Sequence, residues 1–171
     1  MAEEIMDVNE DESEDTQKDK FMTFKSGNEE FAIELQYVSE IVEMQRITEI
    51  PETEDYIKGL INLRGKIIPV IDVRIRFKQD PIEYTDRTCI IITNIKSTVV
   101  GLIVEKIAGV VTLKSEDIVP PPQVSELQRR NKYVYGLGKS GDSVKLLLSP
   151  EKLIRDEDME TLEEMADYEE N

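Results

Sequence analysis

The sequence predicts a mainly β fold, with two similar small barrels sharing a hydrophobic core and a short helix at the C-terminal end. Three observations carry this. From Phe21 onward the apolar runs are short, β-branched and bounded by turn residues, which is the pattern of strands. Such strands build small barrels more readily than a sandwich of long strands or a βαβ fold. An internal repeat then divides them. Ala32-Ile33-Glu34-Leu35-Gln36-Tyr37-Val38-Ser39-Glu40-Ile41-Val42 lies over Gly101-Leu102-Ile103-Val104-Glu105-Lys106-Ile107-Ala108-Gly109-Val110-Val111 at an offset of 69, with the apolar positions coinciding almost throughout. A barrel of roughly 60–70 residues buries little by itself, so the two are expected to share an interface and fold as one unit.

Residues 1–20 lack hydrophobic periodicity and are expected to form a disordered acidic tail. Phe21-Met22-Thr23-Phe24 opens a hairpin that turns at Ser26-Gly27-Asn28 and returns as Glu30-Phe31-Ala32-Ile33. Residues 35–38 fit one helical turn before Glu40-Ile41-Val42-Glu43 resumes extended structure. Pro51 breaks the chain, and Thr53-Glu54-Asp55-Tyr56 reads as a capped turn of helix. Apolar runs at 59–63 and 66–72 follow, joined by a tight turn at Arg64-Gly65. Further strands are expected over 88–93, 98–104, 109–113, 132–135 and 143–148, with Pro120-Pro121-Pro122 as a stiff linker. Ser149-Pro150 fits an N-cap and first helical position, and Leu153, Ile154, Met159, Leu162 and Met165 continue at helical spacing. The domain body is therefore expected over 21–154. Its barrels fall roughly at 25–85 and 86–148, with strand 21–24 open to exchange, and 155–171 form an acidic helix or tail.

The net charge of −16 over 171 residues is concentrated at the ends. Residues 1–20 hold nine acidic against two basic side chains, residues 155–171 nine against one, and the stretch between is close to neutral. Acidic ends repel phosphate backbones and anionic lipid, which argues against nucleic acid and membrane surfaces as partners. No apolar run approaches the ~20 residues of a membrane helix, and Met-Ala-Glu-Glu is not a secretory leader. Cys89 has no cysteine to pair with, which suits a reducing cytosol, and its Ile-rich surroundings predict a core position. A cytoplasmic protein, monomeric when isolated, is expected.

Motifs for catalysis fail on inspection. Gly136-Leu137-Gly138-Lys139-Ser140-Gly141 matches a dinucleotide fingerprint by letters, yet an apolar strand follows it where a helix is required, so a hairpin turn is expected. Gly138-Lys139-Ser140 lacks the upstream glycine of a phosphate loop, because Tyr133 stands there. There is no histidine, the commonest general base and zinc ligand. The acidic run at 10–15 lacks the glycine of a calcium loop. No enzyme activity, cofactor or metal is expected. The competing class is a small enzyme using carboxylates or Lys66 in a cleft between barrels, which no convergent polar cluster favours.

The stretch Tyr56-Ile57-Lys58-Gly59-Leu60-Ile61-Asn62-Leu63-Arg64-Gly65-Lys66-Ile67-Ile68-Pro69-Val70-Ile71-Asp72-Val73-Arg74 resembles the signature of the CheW family, the coupling proteins of bacterial chemotaxis. Glu30-Phe31-Ala32-Ile33 with Val38, Glu40 and Ile41, then Val99-Val100-Gly101-Leu102-Ile103-Val104 with Val110, and Tyr135-Gly136-Leu137-Gly138, extend the resemblance from about Phe21 to Leu153. It implies two intertwined SH3-like barrels, with neither catalysis nor cofactor. It implies an adaptor linking the cytoplasmic tips of methyl-accepting receptors to the regulatory domain of the histidine kinase CheA, recruited to arrays at the inner face of the membrane. A scaffold for another receptor–kinase array is the alternative.

The resemblance places receptor binding in a groove between the barrels, at Val38, Glu40, Gly59, Arg64 and Val110, with Asn62 beside them. A receptor tip is a helical hairpin, and helices seek apolar grooves with a few fixed polar groups. Arg64 is expected to pair with Glu40. Gly59 answers to a positive φ or close backbone approach, and a groove that needs that same backbone shape is a second reading that does not compete with the first; Asn62 either caps the turn or meets the partner. Pro69 lacks a donor, so its strand is expected at an edge or bulge, with Ile67, Pro69 and Ile71 as an apolar kinase contact.

Overall fold

The computed structural model describes residues 17–121 and 132–167. The expectations for residues 1–16, for Pro122 and for 168–171 lie outside these.

A similar series of elements occurs twice, the second with one additional short strand and its 3-10 turn one strand later. The first series is β1 (Lys20–Ser26), β2 (Glu29–Glu34), a 3-10 turn (Leu35–Tyr37), β3 (Val38–Glu43), β4 (Ile57–Leu63), β5 (Lys66–Asp72) and α1 (Val73–Arg76). The second is β6 (Cys89–Ile95), β7 (Thr98–Val104), β8 (Lys106–Thr112), a 3-10 turn (Ser115–Asp117), β9 (Ile118–Val119), β10 (Val134–Ser140), β11 (Ser143–Leu148) and α2 (Pro150–Leu153). A last helix, α3 (Asp156–Ala166), follows. Two hairpins turn on residue pairs with positive φ, Arg64-Gly65 and Lys96-Ser97, the geometry that matches the twist of the flanking strands.

The strands form two sheets, in the orders β8-β1-β2-β11-β10-β9 and β3-β6-β7-β5-β4. Each series lends its opening hairpin to the sheet of the other. β1 and β2 sit between β8 and β11, and β6 and β7 sit between β3 and β5. Each exchanged hairpin is antiparallel to its host on one side, β1 to β8 and β6 to β3, and parallel on the other, where the joins are equivalent: Ala32 pairs with Leu147, and Gly101, its repeat counterpart, pairs with Val70. Side chains must be small there. A Cβ on Gly101 would lie 2.7 Å from Ile90 Cγ2 and 2.8 Å from Val70 Cγ1. A whole hairpin is thus exchanged, not strand 21–24 alone, and a division near residue 85 separates the repeats along the chain but not the sheets in space.

Both sheets curl closed. After β3 the chain returns to β4, where Thr48 N donates to Leu60 O at 2.8 Å and Leu60 N donates to Thr48 O at 2.9 Å. After β8 it returns through β9 to β10, pairing Val119 with Leu137. Ile61, Ile68, Val70, Ile90, Ile92 and Ile103 fill one barrel, and Phe21, Ala32, Leu113 and Leu147 the other. The largest cluster joins them. It takes Phe24, Phe31 and Ile33 from one sheet and Ile71, Ile91 and Leu102 from the other, so neither barrel buries its outer face without its neighbour. Phe31, Phe77 and Tyr133 stack in series through this region, with centroids 4.4 and 5.2 Å apart.

Four local expectations are corrected. Residues 53–56 are turn and not helix, because the Thr53 hydroxyl donates backward to Ile50 O and leaves the amides ahead uncapped. Gly136 to Ser140 lie within β10, and the hairpin turns after them. Gly138 is there for packing, since a Cβ would meet Leu113 Cδ1 at 2.5 Å. Ser149 precedes α2 with Pro150 at its start, but its side chain makes no capping bond. Cys89 is half-buried at the head of β6, packed against the shared core rather than sealed inside it; burial raises its thiol pKa, and a bond from the Ile107 backbone opposes the rise.

Candidate docking surface

β3 and β4 are the outer strands of their sheet, and the seam between them gathers four of the six positions expected to bind a receptor. Gly59 stands at φ +141° beside a register shift between β4 and β5. A Cβ there would lie 2.1 Å from Thr48 O, so glycine is what lets the chain after β3 close on β4. The backbone reading of Gly59 therefore holds, through positive φ and close approach together. Asn62 Oδ1 accepts the Gly65 amide at 2.9 Å and fixes the hairpin turn.

Arg64, the first residue of that turn, reaches back over the seam and its Nη2 lies 2.5 Å from Glu40 Oε2 on β3. The two side chains stay 67 % and 38 % exposed, so the pair adds only about 0–1 kcal/mol. It fixes the direction of two charges more than it fixes the fold. Glu40 and Arg64 are thus brought together, with Asn62 fixing the turn that carries Arg64, while Gly59 lies against Thr48 further along β4.

The two valines lie differently. Val38 heads β3, half-buried against the shared core. Val110 is 51 % exposed on β8, the outer strand of the other sheet. At the repeat offset its counterpart is Ile41 on β3, 38 % exposed and beside Glu40. Sequence reasoning missed Ile41 as a surface residue, although the repeat alignment carried the signal. Each outer strand thus presents one apolar side chain next to backbone that no neighbouring strand pairs, an arrangement that accepts a partner.

The apolar edge expected at Ile67, Pro69 and Ile71 is not an edge. β5 runs between β7 and β4, with Pro69 and Ile71 buried and Ile67 half-buried. Proline is tolerated because the parallel ladder to β7 starts at Val70, one residue later. α3 packs over β5 and β7, and Met159, Leu162 and Met165 join Ile67 and Ile71 in the shared core. The start of α3 is tied down. Tyr56 Oη donates to Asp158 Oδ2, Arg155 Nε donates to the same oxygen at 2.8 Å, and Arg155 meets Glu54 at 3.2 Å. Burial, and then the bond to Asp158, push the Tyr56 hydroxyl pKa well up.

An open cleft of about 1040 Å³ lies near the start of this helix. Arg76 sits over the rings of Tyr56 and Tyr133, 5.2 and 4.8 Å from their centroids, and its Nε donates to Leu153 O at 2.5 Å. Arg76 therefore braces the join between β4, α2 and the second barrel. Lys66, the lysine of the enzyme alternative, is exposed at the head of β5 and does not line this cleft.

Near the turn before β3, the Glu34 carboxyl has its pKa raised, first by burial and then by the charge of Glu151. The folded chain holds that proton more tightly than the unfolded one, so stability falls as pH rises through the folded pKa. Glu34→Gln is expected to raise the melting temperature by about 1–2 °C at neutral pH. At about pH 3.5, where Glu34 is protonated in both states, the gain should vanish; paired melting curves at the two pH values check this.

Two barrels that exchange hairpins and expose strand edges carrying apolar and paired charged groups define a protein-docking module. Residues 20–158 match the CheW-like domain family. The chemotaxis protein CheW of Klebsiella aerogenes is 37 % identical over 147 residues, covering 86 % of this chain and 88 % of its own. That of Treponema pallidum is 31 % identical over 84 % of this chain and 86 % of its own. The crystal structure of the scaffolding protein TtCheW from Thermoanaerobacter tengcongensis aligns with a TM-score of 0.73 at 34 % identity, covering 80 % of this chain and 92 % of that one. The chain belongs to the CheW family, and its fold is the pair of SH3-like barrels expected from the sequence.

Proposed function

We propose that the protein is a non-catalytic chemotaxis adaptor that couples the cytoplasmic tips of methyl-accepting chemoreceptors to the regulatory domain of the histidine kinase CheA. The observation that carries this reading is the seam of the first barrel. Glu40 and Arg64 are held 2.5 Å apart at the edge of β3, Ile41 is exposed on the opposite face of the same strand, and Val110 repeats the exposed apolar position on the other sheet. A helical hairpin laid along such a surface would find apolar contact from Ile41 and Val110 and a fixed charge pair to set its register. Val38 supports the surface from below. Gly59 and Asn62 act at one remove, through the closed seam and the fixed turn. No helix among the described residues is long and apolar enough to cross a membrane, so in this reading receptors and kinase recruit the adaptor to the membrane's inner face.

The test is an NMR titration of the labelled protein with a receptor-tip fragment and, separately, with a CheA regulatory-domain fragment. Receptor-induced shifts are expected at Ile41, Glu40, Arg64 and Val110, with a different patch moving for the kinase. If neither fragment moves any resonance near about 1 mM, the proposal fails, since binding of only about −4 kcal/mol would register.

A further inference from the structure

We propose that the buried ion pair of Glu30 and Lys145 is a pairing code. It admits each exchanged hairpin to the other half of its own chain and excludes the like half of a second copy.

The exchange itself is forced by the connectors. Glu105 alone separates β7 from β8, and Leu35–Tyr37 alone separate β2 from β3. β8 is antiparallel to β1, and β6 is antiparallel to β7. If β6 took the place of β1 in the sheet of β8, β7 would therefore run parallel to β8 with β6 between them. The connector would then have to travel the length of a strand, about 20 Å. One intervening residue reaches about 7 Å and three reach about 14 Å. Each hairpin must enter a foreign sheet. That sheet belongs either to the other half of the same chain or to the like half of another.

The second case is a real competitor because the halves are so similar. Their parallel joins correspond residue for residue, Ala32 with Leu147 in one and Gly101 with Val70 in the other. Pairing like with like would leave the remaining half of each chain free to do the same. Contacts of that kind build open strings of molecules in place of a closed unit.

Two residues before these pairs the joins differ. Lys145 is 8 % exposed, the one buried basic side chain among the described residues, and its Nζ donates to Glu30 Oε2. The corresponding positions of the other join are Ile68, which is buried, and Val99, which packs against the same apolar cluster. A β1–β2 hairpin seated between β3 and β5 of another chain would bring Glu30 to Ile68. A β6–β7 hairpin seated between β8 and β11 of another chain would bring Val99 to Lys145. Either error strands a charge without its partner, the most destabilising kind of mismatch in an interior. The correct exchange strands none. A buried pair stabilises little more than apolar packing of the same volume, so selection is what this one contributes.

The experiment unfolds full-length chains in urea, refolds them by dilution at low and high protein concentration, and reads size by light scattering. The wild type is expected to return as monomer at both. Glu30→Val with Lys145→Ile makes the two joins alike in character and should melt no lower than the wild type. At high concentration it should nevertheless refold with about tenfold more material in dimers and larger species. Glu30→Lys with Lys145→Glu keeps the code with its signs reversed and should refold as the wild type does. The proposal is overturned if the apolar variant refolds as cleanly as the wild type, or if it melts well below it, since the pair would then serve stability. Equal oligomer formation by the reversed variant, or by the wild type itself, overturns it as well.

Discussion

Gly59→Ala is expected to lower the melting temperature by about 6–12 °C, the largest loss of any single methyl group added to this surface. Two costs combine. The residue sits at φ +141°, which a side chain resists, and the new Cβ would stand 2.1 Å from Thr48 O and 2.8 Å from Thr48 C. Backbone cannot yield as a flexible side-chain tip would, so the seam must open or β4 must shift. Together these cost on the order of 3 kcal/mol. Gly109→Ala is the control. Its φ of +146° is nearly the same, but nothing lies within 4 Å of its Cβ position, so it should lose only about 1 kcal/mol. Differential scanning calorimetry of both variants separates clash from strain. If Gly59→Ala instead melted like the wild type while losing receptor binding, Gly59 would be a contact in its own right and the seam would tolerate a side chain.

What was legible in the sequence follows from how far each feature reaches along the chain. The repeat was legible because it is written in the apolar positions themselves, Ala32 to Val42 over Gly101 to Val111. The exchange of whole hairpins was not, because it depends on Ala32 finding Leu147 and Gly101 finding Val70, and no local pattern encodes pairings so distant. Glycine and proline misled where tertiary packing set their roles. Gly136 and Gly138 read as a turn, although Gly138 is in a strand that Leu113 overlies. Pro69 read as an edge, although its missing donor costs nothing at the first step before a parallel ladder. The C-terminal helix was legible from the spacing of Met159, Leu162 and Met165, but the burial of Asp158 as an acceptor for Tyr56 and Arg155 was not, because it depends on a tyrosine about a hundred residues away. Among the site positions, Glu40 and Arg64 were legible as a pair from the resemblance. Ile41 was passed over because its outward direction depends on β3 being an outer strand.

The second large effect is on binding and should leave the fold almost untouched. Arg64→Glu is expected to weaken receptor-tip binding by about 30-fold or more, the loss of ~2 kcal/mol or above that follows when a charge facing a partner is reversed. Thermal stability should fall by about 4 °C at most, because the pair it breaks is exposed and adds no more than about 1 kcal/mol. Glu40→Arg alone should weaken binding to a similar extent, leaving two cations where the seam had a neutral pair. The double reversal then discriminates between two roles for the pair. If Glu40 and Arg64 serve only to hold each other in place, Glu40→Arg with Arg64→Glu restores the pair and with it most of the affinity. If the partner reads the charges by position, the double variant stays weak although its melting temperature returns to that of the wild type. The second result is the one expected here, since 67 % of the Arg64 side chain faces solvent and is free to meet a carboxylate on another chain. Isothermal titration of the four proteins against one receptor-tip fragment measures the coupling directly, and a coupling energy near zero would mean that the two residues meet the partner independently of one another.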